Sequence, residues 1–580
     1  MNVNKKISIL KNFTIFLANK YPYLKSDIVN ANLRKVSFHV LKSDFIISIF
    51  IVSNIYIINL LKFFFGKKNN ITYSFLFPFF YSKLKEILMS ATLLNNSKLK
   101  EKYSCKNYLA KFNYYNYIVL GSGPAGSITS YYLNKKFPGK VLLIEKGKHI
   151  SIFKKKHPHD EFVTKWKNGG LNSTIFPLQI SFASGECLGG GSEINSGLFH
   201  RPGERFLLEW EKKNKFIVPE KYEIDKHFND IANIISNEKN PAISKSAELF
   251  LKGCIKSSAE CEHIPQFYST TEGATQKNTM TKTFINKFIN NSGEIQTGYN
   301  ALKIKRDGKK KIWKIIGTLK GKKKIFYCKK LFINCGALET SKILISSNLF
   351  SKKVSYFKFH PMIKMIVEFD ENIQKEDQNV HPFQFVDPKE RFIIGEASSG
   401  RQFMKINFIN SRDHYTYVED NWKKMSVYHC TFSFGSGEIK KFPFINKFFY
   451  TYKINNTELQ LIKDSLLKAS KILFSAGAKK IFLAGAKHVK ILKIDNYNEV
   501  INKLKKIDEL NFSAVHILGG VTSGEDKVCV VDSYGKVKKY TDLYINDSSL
   551  INENLLKNPQ GTIMFIAKRN IEKFLNENVN

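Results

Sequence analysis

Asn116-Tyr-Ile-Val-Leu-Gly-Ser-Gly-Pro-Ala-Gly-Ser127, followed by a helix-forming stretch and then Val141-Leu-Leu-Ile-Glu-Lys-Gly147, decides the fold of this chain. Tyr117–Leu120 is a short apolar run suited to a buried parallel strand. Gly121 permits a tight turn, Gly123 lets a pyrophosphate approach the backbone, and Gly126 lets the next helix pack close to the strand. The start of that helix offers unpaired N–H groups and the positive end of its dipole to an anion. Val141–Ile144 is the second strand, and Glu145 ends it, nineteen residues after Gly126. An acid there can bond both ribose hydroxyls. Three spaced glycines alone make a turn that needs no ligand. Strand, glycines, helix, strand and acid in this order predict a dinucleotide-binding βαβ unit, and so an α/β chain. Glu145 also disfavours a 2′-phosphate, which puts FAD or NAD ahead of NADP.

Three further segments bear on the choice: Gly185-Glu-Cys-Leu-Gly-Gly-Gly-Ser-Glu-Ile-Asn195, Asn334-Cys-Gly-Ala-Leu-Glu-Thr-Ser-Lys-Ile-Leu344, and the tail. The tail holds His516-Ile-Leu-Gly-Gly520, Val531-Asp-Ser-Tyr-Gly-Lys-Val537, Leu543-Tyr-Ile-Asn-Asp-Ser-Ser549 and Asn558-Pro-Gln-Gly-Thr-Ile563. Gly189–Gly191 with Ser192 is permissive backbone whose N–H groups can wrap a flat ring or a phosphate. A flexible surface loop is the alternative, which the apolar flanks Leu188 and Ile194 disfavour. His516, followed by two glycines, has little steric cover on one side, and imidazole takes a proton near neutral pH. A lone histidine is more often structural. Asn558-Pro559 alone is an ordinary turn, and an asparagine amide can orient a hydroxyl but cannot act as a base. Asp547-Ser548-Ser549 makes a good turn or N-cap.

Together these motifs resemble the glucose–methanol–choline (GMC) family of flavin-dependent oxidoreductases, from about Tyr117 to about Phe574. The flavour is that of the cholesterol-oxidase and long-chain-alcohol-oxidase branches, which carry a triple glycine followed by serine and an asparagine as second active-site residue. The resemblance implies a Rossmann-like FAD-binding domain, a mixed α+β substrate domain and a helical N-terminal extension. It implies FAD contacts from Gly121, Ser122, Gly123, Pro124, Ala125, Gly126, Glu145 and Lys146. Gly189, Gly190, Gly191, Ser192 and Asn195 would lie at the flavin, with Leu302, Gly336, Pro559 and Thr562 completing the site. Asp547 and Ser548 would sit near the pyrophosphate and ribityl chain. The position matching the family's covalent histidine is Ile194, so FAD is expected to be non-covalent. His516 falls on the family's base and Asn558 on its second active-site position. The implied reaction oxidises an alcohol to an aldehyde or ketone, with hydride passing to flavin N5. Oxygen, a quinone or a cytochrome would then take the electrons. A flavin-retaining lyase of the same fold and a non-catalytic, membrane-associated flavoprotein are the alternatives. The Phe359-His360-Pro361 element is expected to be structural. Ser523-Gly524 stands where the family usually has Met-Gly.

Length and composition add bounds. A chain of 580 residues holds two or three domains with ample core. Lys+Arg 91 against Asp+Glu 50 gives a formal charge of +41. Such an excess ordinarily suggests nucleic acid or anionic lipid. Here the lysines are spread along the chain, in runs such as Lys154–Lys156 and Lys322–Lys324, so no nucleic-acid partner is expected. None of the eight cysteines has metal-ligand spacing, so no metal is expected; free thiols and a reducing compartment fit that scatter. No cleavable signal peptide is evident in Met1–Leu10. The expected location is the cytoplasm or the cytoplasmic membrane surface.

The chain divides into six segments. Residues 1–112 read as a helical extension, in which 45–65 is a candidate membrane-associating helix: Phe45–Leu61 has no charge but carries Asn54 and Asn59. Residues 113–215, 296–350 and 505–580 read as three parts of the FAD-binding domain, the last holding His516 and Asn558. Residues 216–295 and 351–504 read as the substrate region. Strand-like alternation through Gly298–Cys335 predicts a meander leading into a buried strand at Leu331–Asn334. Met362–Phe369 and Met425–Phe434 read as strands. Thr457–Ala476 reads as a helix with Leu459, Ile462, Leu466 and Ile472 on one face and Gly477 as its stop.

Overall fold

The computed structural model describes residues 103–578, apart from 153–157, 176, 236–242, 272–273, 351–353, 375–382, 398–399, 410, 443–446 and 485–487. Almost all of the 1–112 extension, including the candidate helix 45–65, lies outside the described residues. Among the described residues no helix is long and apolar enough to cross a membrane.

The opening stretch folds as β1 (Tyr114–Leu120), α1 (Pro124–Lys136) and β2 (Val141–Ile144). β1 and β2 pair in parallel, Tyr117 opposite Val141 through Leu120 opposite Ile144. All four residues of β2 are buried, as expected of a parallel strand covered on both faces. β3 (Glu294–Gln296) extends the sheet beyond β2, again in parallel. The expected meander is β4 (Tyr299–Asp307), β5 (Ile312–Leu319) and β6 (Lys322–Ile333). β6 does two jobs. Its first half pairs with β5, while Leu331–Ile333 lies between β1 and the late strand β7 (Leu543–Ile545). α2 (Ala337–Ser346) follows β6, and α3 (Gln560–Glu577) packs on α1. The chain thus leaves this sheet twice and returns to it each time.

The excursion builds a second sheet, with Met362–Glu368 between Phe512–Ala514 and Met425–Phe432, then Phe392–Glu396 and Phe383–Val386 beyond. Helix Leu459–Ser475 covers one face, burying Ile462, Leu466 and Ile472, and Gly477 follows it with a φ of +100°. This sheet and helix form a hydrophobic core separate from that of the parallel sheet. Residues 216–295 divide between the two cores. Phe228, Ile231 and Phe288 join the parallel-sheet core, whereas Leu249 and Phe250 join the second.

Candidate active site

A cavity of about 490 Å³ runs from the C-terminal ends of β1 and β2 to the uncovered face of the second sheet. Its first end is the glycine turn. Gly121 has a φ of +92°, and a Cβ there would meet the Asn334 carbonyl oxygen at 2.3 Å. At Gly126 a Cβ would lie 1.8 Å from the Gly121 oxygen, so this glycine is set by helix–turn packing. Gly123 differs, for a Cβ there would meet nothing within 4 Å. The first turn of α1 has no acidic residue and no side-chain cap, so its N–H groups face the cavity uncompensated. An empty approach to Gly123 beside an uncapped helix start fits a pyrophosphate.

Glu145 lines the same end, buried. Its Oε2 accepts from the Ser122 N–H at 3.0 Å and the Ser122 hydroxyl at 2.6 Å; Oε1 accepts from the Gly147 N–H at 2.7 Å. Burial raises its pKa, and those hydrogen bonds oppose the rise. A carboxylate has about four acceptor sites. Two bonds hold Ser122 and one holds Gly147, so Glu145 braces the turn as well as facing the cavity. Burial opposes the Lys146 charge, but Glu186, 2.5 Å away, and Glu339 outweigh it.

The triple-glycine loop closes over this turn. Gly189 and Gly190 have φ of +90° and +56°, and a Cβ on Gly190 would lie 2.8 Å from Gly123 Cα. The Gly189 N–H donates to the Ser122 hydroxyl at 3.1 Å, and Ser192 Oγ donates back to the Gly189 carbonyl at 2.8 Å. Gly191 has nothing within 4 Å of its Cβ position and lines the cavity. Asn195 lines it too, its amide donating to Gln560 at the start of α3. On the opposite side Asp547 sits at the start of α2. Its Oδ2 accepts from the Gly336 N–H at 2.9 Å and from Thr340 at 2.6 Å. Burial raises the Asp547 pKa against the hydrogen bonds from Ser549, Thr340 and Gly336.

The second end of the cavity holds His516, and the strand crossing explains its position. Met362 pairs with Ser513 in the large sheet, whereas Phe359 pairs with Ile517 in a neighbouring four-stranded sheet. Both chains pass from one sheet to the other at the same place. His360-Pro361 and Val515-His516 therefore lie side by side. His360 Nδ1 is 3.0 Å from His516 Nδ1. On the far side, Asn558 Nδ2 donates to His516 Nε2 at 3.3 Å, and Gln384 Nε2 reaches Asn558 Oδ1 at 3.5 Å. Burial pushes His516 well below the ordinary histidine value, with His360, His429 and His200 adding to the effect. His516 is thus a neutral imidazole with an accepting Nε2 turned toward Asn558 and the cavity.

Of the residues expected from sequence, Gly121, Ser122, Gly123, Pro124, Ala125, Glu145, Lys146, Gly190, Gly191, Asn195, Gly336, His516, Asp547, Ser548, Asn558 and Pro559 line this one cavity. Gly126, Gly189, Ser192, Leu302 and Thr562 do not. Gly126, Gly189 and Ser192 shape the turn and loop from behind, and Thr562 is buried in the first turn of α3. Leu302 falls at a register shift between Ala301 and Lys303, and it is Ala301 that reaches the cavity. His360, expected only to be structural, touches His516. His200, His429, Gln384 and Lys364 belong to no motif of the sequence reading. The available signal is a polar residue inside an apolar strand run, as in Met362-Ile-Lys-Met-Ile-Val367 and in Val427-Tyr-His-Cys430.

Comparison with known proteins bears on this geometry. Residues 115–362 and 447–567 match the GMC oxidoreductase family. An uncharacterized GMC-type oxidoreductase of Sinorhizobium fredii is 24% identical over 480 residues, 79% of this chain and 94% of that protein. An (R)-mandelonitrile lyase-like protein of Arabidopsis thaliana is 32% identical over 113 residues, 18% of this chain and 20% of its own. Among solved structures, pyridoxine 4-oxidase from Mesorbium loti superposes with a TM-score of 0.59 at 11% identity, over 80% of this chain and 99% of that one. At that identity the likeness concerns the fold, a Rossmann-like FAD-binding domain joined to a sheet-based second domain.

Proposed function

This chain belongs to the GMC oxidoreductase family, and from that footing we propose that it is an FAD-dependent enzyme oxidising an alcohol to an aldehyde or ketone. The observation that carries the reading is the His516–Asn558 pair, 3.3 Å apart, in the wall of the cavity that the glycine turn enters at its other end. The cradle fits FAD: open space at Gly123 and Gly191, uncapped N–H groups at α1, and a buried carboxylate at Glu145. FAD, when bound, would supply the acceptor for the hydride and would later hand its electrons to oxygen, a quinone or a cytochrome.

The chain's own part is orientation and proton control. A substrate hydroxyl placed between His516 and Asn558 gives its proton to His516 Nε2. Asn558 Nδ2 holds the hydroxyl oxygen, because an amide donor is unaffected by the proton's arrival. His360 holds the imidazole from the other side. Ile194 offers no nucleophile for covalent attachment, which supports a non-covalent cofactor. A cytoplasmic or membrane-surface location belongs to the same reading, with the 1–112 extension as the candidate anchor.

Anaerobic mixing of the FAD-loaded protein with a panel of primary and secondary alcohols tests the proposal. Bleaching of the flavin absorbance is the expected result. A flavin that stays oxidised while substrate is cleaved would instead identify a lyase, and a protein that cannot be loaded with FAD would overturn the cofactor assignment.

A further inference from the structure

The sheet wall of the cavity is chemically uneven. Along Met362–Glu368 the residues alternate, so that Ile363, Met365 and Val367 enter the second core while Met362 and Lys364 line the cavity. Lys364 pairs in register with His429 on Met425–Phe432, and Thr431 two residues on lines the cavity as well. Gln384 approaches from Phe383–Val386. A cationic side chain therefore stands among neutral hydrogen-bonding groups on the wall of the same cavity as His516.

Several other partly or fully buried lysines meet a carboxylate, and Lys358 reaches the Asn554 side-chain oxygen. Lys167 and Lys342 reach Glu339, Lys405 reaches Glu419, and Lys568 reaches Asp230 and Glu572. The Lys364 side chain makes no hydrogen bond or ion pair with any described residue. Glu396, a carboxylate that lines the cavity from the same sheet, pairs in register with Tyr428 and accepts hydrogen bonds from Ser246 and Ser426. Burial alone pushes the Lys364 ammonium below the ordinary lysine range, with nothing opposing it. An ammonium taken from water without a partner costs free energy. A neutral sterol or long-chain alcohol filling this chamber would worsen that cost.

We infer that the substrate is a hydroxy acid: an alcohol whose second end carries a carboxylate, bound by Lys364 with Gln384 and Thr431 as neutral donors beside it. A single ammonium among neutral groups matches one negative charge rather than a phosphate dianion, which calls for more than one cation. This inference rests on the alcohol-oxidising reading of the same cavity, and it sets the substrate apart from the uncharged alcohols of the branches that the sequence resembles.

The test compares ω-hydroxyalkanoates of increasing chain length with 1-alkanols of equal carbon number, on the FAD-loaded protein under anaerobic conditions. At one favoured length the hydroxy acid is expected to exceed its alkanol in kcat/KM by roughly 10- to 100-fold, the worth of a hydrogen bond to a charged group. Lys364→Met should bring that ratio close to one, chiefly through KM, and Lys364→Arg should restore part of it. Equal kcat/KM for both series at every length would overturn the inference, as would a preference that survives Lys364→Met. If neither series bleaches the flavin, the alcohol reading fails by itself. Calorimetric titration with 6-hydroxyhexanoate against 1,6-hexanediol then still decides the carboxylate site: tighter binding of the acid, lost in Lys364→Met, upholds it, and equal binding rejects it.

Discussion

His360 Nδ1 and His516 Nδ1 face each other at 3.0 Å, and the His360 backbone N–H donates to the His516 backbone carbonyl at 3.3 Å. Two imidazole nitrogens at that distance need one proton between them. Asn558 decides which ring carries it, because its amide N–H donates to His516 Nε2 and so makes that nitrogen the acceptor. The proton therefore sits on His516 Nδ1 and points at His360 Nδ1. His360 Nε2 meets no partner at hydrogen-bond geometry, although the nearby Leu555 carbonyl partly offsets the fall in basicity that burial causes. On the proposed function, His360 is a positioning residue that keeps His516 in the tautomer with an accepting Nε2.

Replacing His360 should separate orientation from binding. His360→Leu removes the acceptor for His516 Nδ1–H and should slow anaerobic flavin reduction by about 10²-fold, the cost of a small misplacement of a reacting group. Bound FAD should be unchanged. His360→Asn places an amide oxygen near the lost Nδ1 and should recover most of the rate. Equal rates in Leu and Asn variants would remove His360 from the orientation of His516.

His516→Ala should slow reduction by about 10²–10⁴-fold, the usual worth of a general base. The pH profile is the sharper check. Burial, then the neighbouring histidines, hold His516 well below the ordinary 6.5, so its neutral form persists as pH falls through that value. The rate of flavin reduction should therefore stay level from pH 8 through 6.5 and fall only at more acid pH. An acid limb centred at 6.5 would show an ordinary, solvated imidazole. Asn558→Ala should lower the plateau with little change in the limb, since an amide does not titrate.

Local and long-range information differ in how well the sequence displays them. β1, the glycine turn, α1 and β2 were readable because each reports on neighbours a few residues away. The strands at 362–368 and 425–432 were readable as apolar runs and the helix at 459–475 from periodicity. The contact of His360 with His516 spans 156 residues and arises from two strands changing sheets together, which no local pattern reveals. Lys364 and His429 face the cavity only because of strand register across a sheet assembled from distant segments. The Leu302 position shows the same limit at shorter range: a bulge turned its neighbour Ala301 to the cavity instead.

The histidine cluster also predicts acid sensitivity of the fold. His200 is lowered to about 3 and His360 and His429 to about 4, by burial first, and His516 is lowered as well. Below 6.5 the unfolded chain takes up protons that the folded chain refuses. Stability is therefore full above 6.5 and declines as pH falls toward 4, by roughly 1.4 kcal/mol per pH unit for each such histidine. Glu145, Glu390, Asp532 and Asp547, raised by burial, act in the opposite sense, while His149, His227 and His414, lowered by burial, act with the cluster. The melting temperature should drop clearly between pH 7.5 and 5. A flat profile over that window would mean that the cluster is hydrated.

Gly123 and Gly126 provide a test of what occupies the glycine turn. The two look alike in sequence but meet different surroundings. A methyl on Gly126 would collide with the Gly121 oxygen at 1.8 Å, so Gly126→Ala should displace α1 from β1 and lower the melting temperature whether or not a ligand is present. A methyl on Gly123 meets no protein atom within 4 Å, and the backbone there has φ −63° and ψ −175°, which other residues adopt freely. Gly123→Ala should therefore leave the FAD-free chain as stable as the parent. The loss should appear only in FAD affinity, because the added methyl stands where the pyrophosphate must approach. The measurement is a pair of melting curves for each variant, with and without saturating FAD. Parent protein should gain stability with FAD as binding to the folded state requires, Gly123→Ala should gain little, and Gly126→Ala should start lower. If Gly123→Ala gains as much as the parent, the dinucleotide does not lie against this turn.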